Sequence, residues 1–459
     1  MTDTANREQL LELADIQGTV LRQRPSPYTG AYFLLRIDDP ADGRRMLRRL
    51  APQVATAANW WQPPEKAWLN VALSYSGLRV LGVPQASLDT FAPEFRDGMA
   101  SRAGILGDVG QSSPEHWEPP LGSTDVHVAL ALFAPDQDTL QSVLGVAHES
   151  QDDLPGVSVI YRLETPQLPT GRTHLGFVDG IGEPNIEGSG VADILQTGPN
   201  HYGYLPGFGE PIKAGEFLMG YVNQLGEPAP MPQPEVVGRN GTYVAFRKLH
   251  VRVAAFRQYL KANADSPDEE ELLAAKMIGR WRSGAPLMLA PEHDDPALAA
   301  DPQRVNDFAY HQQDARGLRC PVGSHIRRTN PRDSLAEELV DPSIHRALRR
   351  AATYGPELSE GQREDDGADR GIAFIFMGTD LKRQYEFIKS QWINDGNFIG
   401  LDEKDPLVGA NDGTRAFTIP RRPIRRRVPD LPRFVHTKGG EYLFMPGIRA
   451  LNWLAELDA

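Results

Sequence analysis

A single cysteine, Cys320, in 459 residues rules out an internal disulfide, and with it any metal or iron–sulfur centre built from several thiolates. No apolar run approaches the roughly 20 residues needed to cross a bilayer. The first residues, Met1-Thr2-Asp3-Thr4-Ala5-Asn6-Arg7-Glu8, show no basic stretch leading into an apolar one, so no signal peptide is expected. Positive charge is in deficit: 48 Lys and Arg stand against 61 Asp and Glu, a formal net charge of −13. That balance argues against nucleic acid or an anionic membrane as a partner. Short-period repeats and low-complexity tracts are also missing. Together these absences predict a cytoplasmic protein. What remains is ordinary for a globular chain, 40% hydrophobic and 24% charged, and long enough for a large buried core. One segment runs against the charge balance: Arg421-Arg422-Pro423-Ile424-Arg425-Arg426-Arg427 reads either as an anionic contact or as a solvated loop beside prolines.

Two similar halves emerge from the periodicity. In the first, Ala31–Ile37 reads as a strand, followed by a helix from near Ala41 that carries Met46, Leu47, Leu50 and Val54 at helical spacing. Trp68–Leu73 and Val126–Phe133 are further strands. Asp136 is placed to cap a helix running to about His148, and Val157–Tyr161 closes the unit. That order, βαββαβ, is the ferredoxin-like unit. The second half offers strands at Phe217–Val222, Tyr243–Phe246 and Ile372–Met377, helices at Val253–Ala264 and Leu381–Ile393, and strands near Phe417–Ile419 and Tyr442–Met445. The fold class predicted is therefore α+β: two ferredoxin-like halves, 1–169 and 216–459, packed as in a dimeric α/β barrel. A Gly- and Pro-rich linker, 170–215, joins them.

Three segments carry residues suited to chemistry. In Gly176-Phe177-Val178-Asp179-Gly180-Ile181-Gly182-Glu183-Pro184, the glycines permit backbone angles that let a flat ligand approach an aspartate's main chain. Taken alone, an Asp-Gly pair is a turn signal. In Cys320-Pro321-Val322-Gly323-Ser324-His325-Ile326-Arg327-Arg328-Thr329-Asn330-Pro331-Arg332, His325 has no second ligand at zinc spacing. A histidine acting alone suits haem, whose porphyrin supplies the other equatorial bonds. In Leu348-Arg349-Arg350-Ala351-Ala352-Thr353-Tyr354-Gly355, an arginine that never deprotonates can stabilise oxyanion charge; the same pattern also suits a helix end bearing solvated arginines.

The joint order of these segments resembles the dye-decolorizing peroxidases. So do the strand GIAFIF, the helix QYEFIKSQW, Asp15-Ile16-Gln17-Gly18, the strand bearing His127 and the ending Gly439-Gly440-Glu441-Tyr442-Leu443-Phe444-Met445-Pro446-Gly447. The spacing is closest to the longer, non-secreted bacterial branch. The resemblance implies one haem b per chain, with His325 as the proximal iron ligand, Asp179 as the distal acid–base residue and Arg349 as its partner. Arg350 is then the bystander of the pair, and its loss is expected to slow the peroxide step only mildly. Gly180, Ile181, Gly182 and Glu183 would border the haem, and Ile372 and Phe374 would lie over it. Asp405 would accept the other imidazole N–H, and Arg327 would meet a propionate.

A carboxylate that takes and returns one proton fits peroxide cleavage, and a carboxylate in that role, unlike a histidine, predicts turnover fastest in acid. The partners implied are hydrogen peroxide and dyes, phenolic or other one-electron donors, acting on a monomer or homo-oligomer. Haem carriage, storage or sensing on the same fold is the alternative; it would keep His325 without requiring Asp179 and Arg349 together. Cargo for a protein shell is not expected, since the chain stops close behind its terminal motif.

Overall fold

The computed structural model describes residues 11–22, 24, 26–59, 68–150, 152–189, 211–338 and 341–457. Four strands build the first half: β1 (Thr29–Ile37), β2 (Trp68–Leu73), β3 (Val128–Ala134) and β4 (Val157–Glu164). Helix α1 (Pro40–Leu50) follows β1, and α2 (Gln137–Glu149) follows β3. Helix α1 starts where Asp39 Oδ1 accepts the Ala41 N–H at 2.7 Å, with Pro40 in the first turn. It stops at Leu50, short of the expected Val54, because Pro52 tightens residues Ala51–Gln53 into a 3₁₀ turn.

The second half repeats the pattern. It contains β5 (Thr242–Val251), α3 (Val253–Ala262), α4 (Pro267–Ile278), the short α5 (His325–Thr329), β6 (Leu348–Tyr354) and β7 (Gly371–Gly378). A helix α6 follows in two wide-turned runs, Leu381–Glu386 and Ile388–Asn394. A two-stranded ribbon, β8 (Phe417–Ile419) and β9 (Arg426–Val428), precedes β10 (Val435–Met445) and α7 (Ile448–Ala455). Arg421, Arg422 and Arg425 stand exposed in the ribbon's connecting loop, away from the residues considered below.

The sheet runs β4-β1-β3-β2-β10-β5-β7-β6, so each half has the strand order fourth, first, third, second. The halves join edge to edge through β2 and β10, with Leu73 opposite Phe444. One face of the whole sheet turns inward: Tyr32, Leu34, Ala72 and Phe133 of the first half meet Val244, Phe246, Ile375 and Leu443 of the second in one cluster. A cavity of about 40 Å³ remains inside, lined in part by Tyr32, Asn70, Phe246 and Arg350. It has room for a water or so and none for an organic cofactor. The opposite face of the second half is covered by α3 and α4 through Phe256, Leu260, Leu273 and Met277.

Phe217–Val222 is not the strand expected from its apolar run. Phe217, Leu218 and Met219 are fully buried, and the chain doubles back there, the Gly215 N–H donating to Val222 O at 2.9 Å. A short run buried on every side has no period to distinguish strand from plug. Part of the expected linker, 190–210, lies outside the described residues. No helix among the described residues is long and apolar enough to cross a membrane.

Candidate active site

His325 opens α5, and its position is set from behind. Ser324 Oγ donates to Lys276 O of α4 at 2.6 Å, and the imidazole stays partly open at 21% side-chain exposure. Its Nδ1 lies 2.8 Å from Asp405 Oδ2. Asp405 is fully buried, and its other oxygen accepts the N–H groups of Leu407 and Val408, each at 2.9 Å. Burial alone would push this carboxyl up; the facing His325, its hydrogen bond and the Val408 amide outweigh that and hold it below the usual carboxylate range. An ionised Asp405 can only accept, so Nδ1 is the donor and Nε2 is the ring nitrogen turned to a ligand.

Strand alternation separates the paired arginines. Arg350 turns to the barrel side with Leu348 and Ala352. It donates to Thr19 O (2.9 Å), Arg22 O (3.1 Å) and Val20 O (3.3 Å), and pairs with Glu183 Oε2 at 3.0 Å. Arg349 turns to the other face, where no hydrogen bond or ion pair to its guanidinium occurs among the described residues. In the β6–β7 register Arg349 is opposite Phe376, Ala351 opposite Phe374 and Thr353 opposite Ile372, so Arg349, Phe374 and Ile372 share that face. Phe376 is fully buried there, whereas Ile372 and Phe374 are left half-covered.

The Asp179 segment is irregular backbone held by side chains from elsewhere. Gly176 (φ +84°) and Gly180 (φ +82°) take left-handed angles on either side of the aspartate. Asp179 is exposed, and its Oδ1 accepts the N–H of Gly180 at 2.8 Å. Arg282 donates to Leu175 O, Asn306 Nδ2 to Ile181 O at 2.7 Å, and Arg346 to Gly182 O at 2.8 Å. The Glu183–Arg350 pair closes the series. Thus the same strand presents Arg349 on one face and anchors the aspartate's loop from the other.

The chain and its fold are similar to those of known proteins. Residues 15–164 match the model of the DyP dimeric alpha+beta barrel domain. A dye-decolorizing peroxidase of Auricularia auricula-judae is 31% identical over 96% of this chain and 86% of its own length. The structure of an ancestral D-type dye-decolorizing peroxidase superposes with a TM-score of 0.82 at 30% identity, covering 96% of this chain and 98% of that one. A dye-decolorizing peroxidase in complex with 2,6-dimethoxyphenol gives a TM-score of 0.80 at 27% identity, covering 97% of this chain and 100% of that one. The chain belongs to the dye-decolorizing peroxidase family.

This peroxidase therefore comes from a family of haem enzymes, and its residues fit that group. Among the described residues, no cluster of three or more His, Cys, Asp or Glu could hold a bare metal ion. A lone imidazole backed by a buried carboxylate is the donor set of an axial ligand. The half-covered apolar face of Ile372 and Phe374, with an unpartnered arginine on the same face, suits a flat apolar group bearing a reactive centre.

Arg327 requires correction. It is 1% exposed, donates to Cys320 O at 2.8 Å and Asp314 O at 3.0 Å, and lies over the Tyr310 ring at 4.6 Å. In a short helix it points away from His325 and braces the preceding loop, so it is not positioned to meet a propionate. Glu183 has one carboxylate oxygen committed to Arg350. Arg282, Asn306 and Arg346, which hold the Asp179 loop, went unnoticed in the sequence. Main-chain carbonyls as distant acceptors leave no local pattern to read.

Proposed function

We propose that this peroxidase carries one haem b, held through Nε2 of His325, and uses Asp179 and Arg349 on hydrogen peroxide. The observation that carries the reading is the 2.8 Å hydrogen bond from His325 Nδ1 to the buried Asp405, which makes Nε2 the ring nitrogen available to a metal. When bound, haem supplies the redox chemistry, accepting and passing on electrons one at a time. The protein's own residues handle protons and charge. Hydrogen peroxide must lose a proton from one oxygen and regain it on the other, which leaves as water; Asp179 takes and returns that proton. Arg349 stabilises negative charge on the peroxide meanwhile, and its unpartnered guanidinium needs no bond broken to do so. Ile372 and Phe374 keep bulky donors out of the pocket, so dyes and phenols such as the 2,6-dimethoxyphenol bound by the structural relative give up electrons from outside it.

The same reading takes 1–169 and 216–459 as the two halves, with Asp179 in the segment between them. It places the protein in the longer bacterial branch, on motif spacing, and in the cytoplasm, where a single buried thiol such as Cys320 is at home. Absorption spectroscopy of the purified protein tests the cofactor: a Soret band that changes on adding peroxide is expected. His325→Ala should lose most of the haem, or leave a site that added imidazole refills. A parent-like spectrum and haem content in that variant would assign the ligand elsewhere. Haem without any response to peroxide would favour carriage.

A further inference from the structure

Two guanidiniums that have no salt bridge among the described residues converge on one amide oxygen. Arg280 Nη2 donates to Oδ1 of Asn306 at 2.5 Å, and Arg332 Nη2 approaches the same oxygen at 3.3 Å. Their remaining donors go to the main chain: Arg280 to Gly284 O and Val305 O, each at 2.9 Å, and Arg332 to Asn306 O at 2.8 Å and Phe308 O at 2.7 Å. The Phe308 ring takes Arg332 at 3.7 Å and Arg280 at 5.8 Å from its centroid.

An amide oxygen receiving two N–H donors decides which way the side chain faces. The Asn306 NH₂ must then point the opposite way, and it meets Ile181 O at 2.7 Å. Ile181 is held on its other side as well. Its Cδ1 would lie 2.5 Å from a Cβ at Gly284, a residue at φ +103° whose carbonyl Arg280 also binds. Arg332 closes the HIRRTNPR segment that His325 begins. Asn306 thus touches both the end of the His325 segment and the loop of Asp179.

We propose that Asn306 is the positioning residue for Asp179. Its amide oxygen is clamped by Arg280 and Arg332, and its NH₂ sets the height of the Asp179 loop relative to the His325 segment. The inference rests on Asp179 being the proton carrier in the function proposed above. It identifies no new group that touches peroxide; Asn306 acts through the loop.

Asn306→Asp separates this role from a merely structural one. The substitution keeps an acceptor for both guanidiniums and makes it charged, a stronger pairing. It also replaces the donor facing Ile181 O with a second acceptor, so the loop loses its tether and meets repulsion. Asn306→Ala removes both functions. Five proteins are compared as purified holoenzymes: the parent, Asn306→Asp, Asn306→Ala, Asp179→Asn and the double variant of Asn306→Asp with Asp179→Asn. The measurements are melting midpoint, amide hydrogen exchange across 178–184, and the stopped-flow rate of the peroxide step.

Asn306→Asp should melt at or above the parent, while exchange in the loop quickens by about tenfold or more through local opening. The peroxide step should slow on the order of 10- to 100-fold, the cost of a misplaced catalytic group. The double variant should be no slower than Asp179→Asn, because both changes remove the same contribution. Parent-like exchange and rate in Asn306→Asp would overturn the inference and leave Asn306 a partner for two arginines only. A midpoint below that of Asn306→Ala would overturn the clamped-amide geometry. If Asp179→Asn itself leaves the rate unchanged, the proton role of Asp179 falls and this inference with it. Slow Asp179→Asn beside unimpaired Asn306→Asp would remove the inference alone.

Discussion

Asp405 faces His325 from a position with no solvent exposure, its Oδ2 accepting the imidazole Nδ1–H at 2.8 Å while Oδ1 is capped by two main-chain amides. The carboxylate has nowhere to turn, so its charge is directed into the ring. Asp405→Asn keeps the shape and an acceptor for Nδ1 but removes that charge, making the imidazole a poorer ligand. Haem affinity is expected to drop by about 10- to 100-fold, measured by titrating haem into the stripped protein. The reduction potential of the haem-loaded variant should rise. Parent-like affinity and potential would show that the charge on Asp405 does not reach the ligand.

Arg349 and Arg350 should differ in kind. Among the described residues the Arg349 guanidinium has no partner to lose, so Arg349→Leu should leave the melting midpoint nearly unchanged while slowing the peroxide step by about 10²–10³-fold.

Arg350→Leu is the opposite case: its effect on the peroxide step should stay mild, and its cost falls on stability. The change would strand Glu183, at 7% side-chain exposure, and the carbonyls of Thr19, Val20 and Arg22. Breaking a buried pair from one side costs about 3–5 kcal/mol, readable in denaturant unfolding. Full stability in Arg350→Leu would mean that the Glu183 tie is dispensable.

Glu441 on β10 carries a pH signature. Burial pushes its carboxyl up to about 8, opposed only by the hydrogen bond it accepts from the Gly122 amide. Its folded value lies above the unfolded one of about 4.3, so between these values the native state binds more protons than the unfolded chain. Stability from this group is therefore whole in acid and lost as pH rises through that window, by at most about 1.4 kcal/mol per pH unit. Glu441→Gln cannot ionise, so its melting midpoint should gain on the parent steadily from pH 5 to pH 8. Parallel curves would show that the carboxyl ionises at its ordinary value.

Much of this protein was legible locally. Continuous apolar runs in β1, β3 and β7 and a period of 3.6 in α1 and α3 are properties of a few adjacent residues, and two comparable series of strands and helices already implied two ferredoxin-like halves. His325 and Asp405, 80 positions apart, were paired in advance only through the family's motif, because an imidazole's second partner leaves no trace beside it. That Arg349 and Arg350 part ways was not legible, since the segment also suited a helix end, and only strand β6 sends neighbouring side chains to opposite faces.

Which face each arginine took was decided by the tertiary structure alone. The β6–β7 register put Arg349 with Ile372 and Phe374, and packing of the two halves put Arg350 inside the barrel. Packing likewise turned Arg327 towards Asp314 and Tyr310, and folded Phe217–Val222 into a plug. Asn306 reached Ile181 across 125 residues. A hydrogen bond to a main-chain oxygen asks nothing of the acceptor's side chain. The partner therefore cannot be read from residue types, and appears only when the fold brings the two segments together.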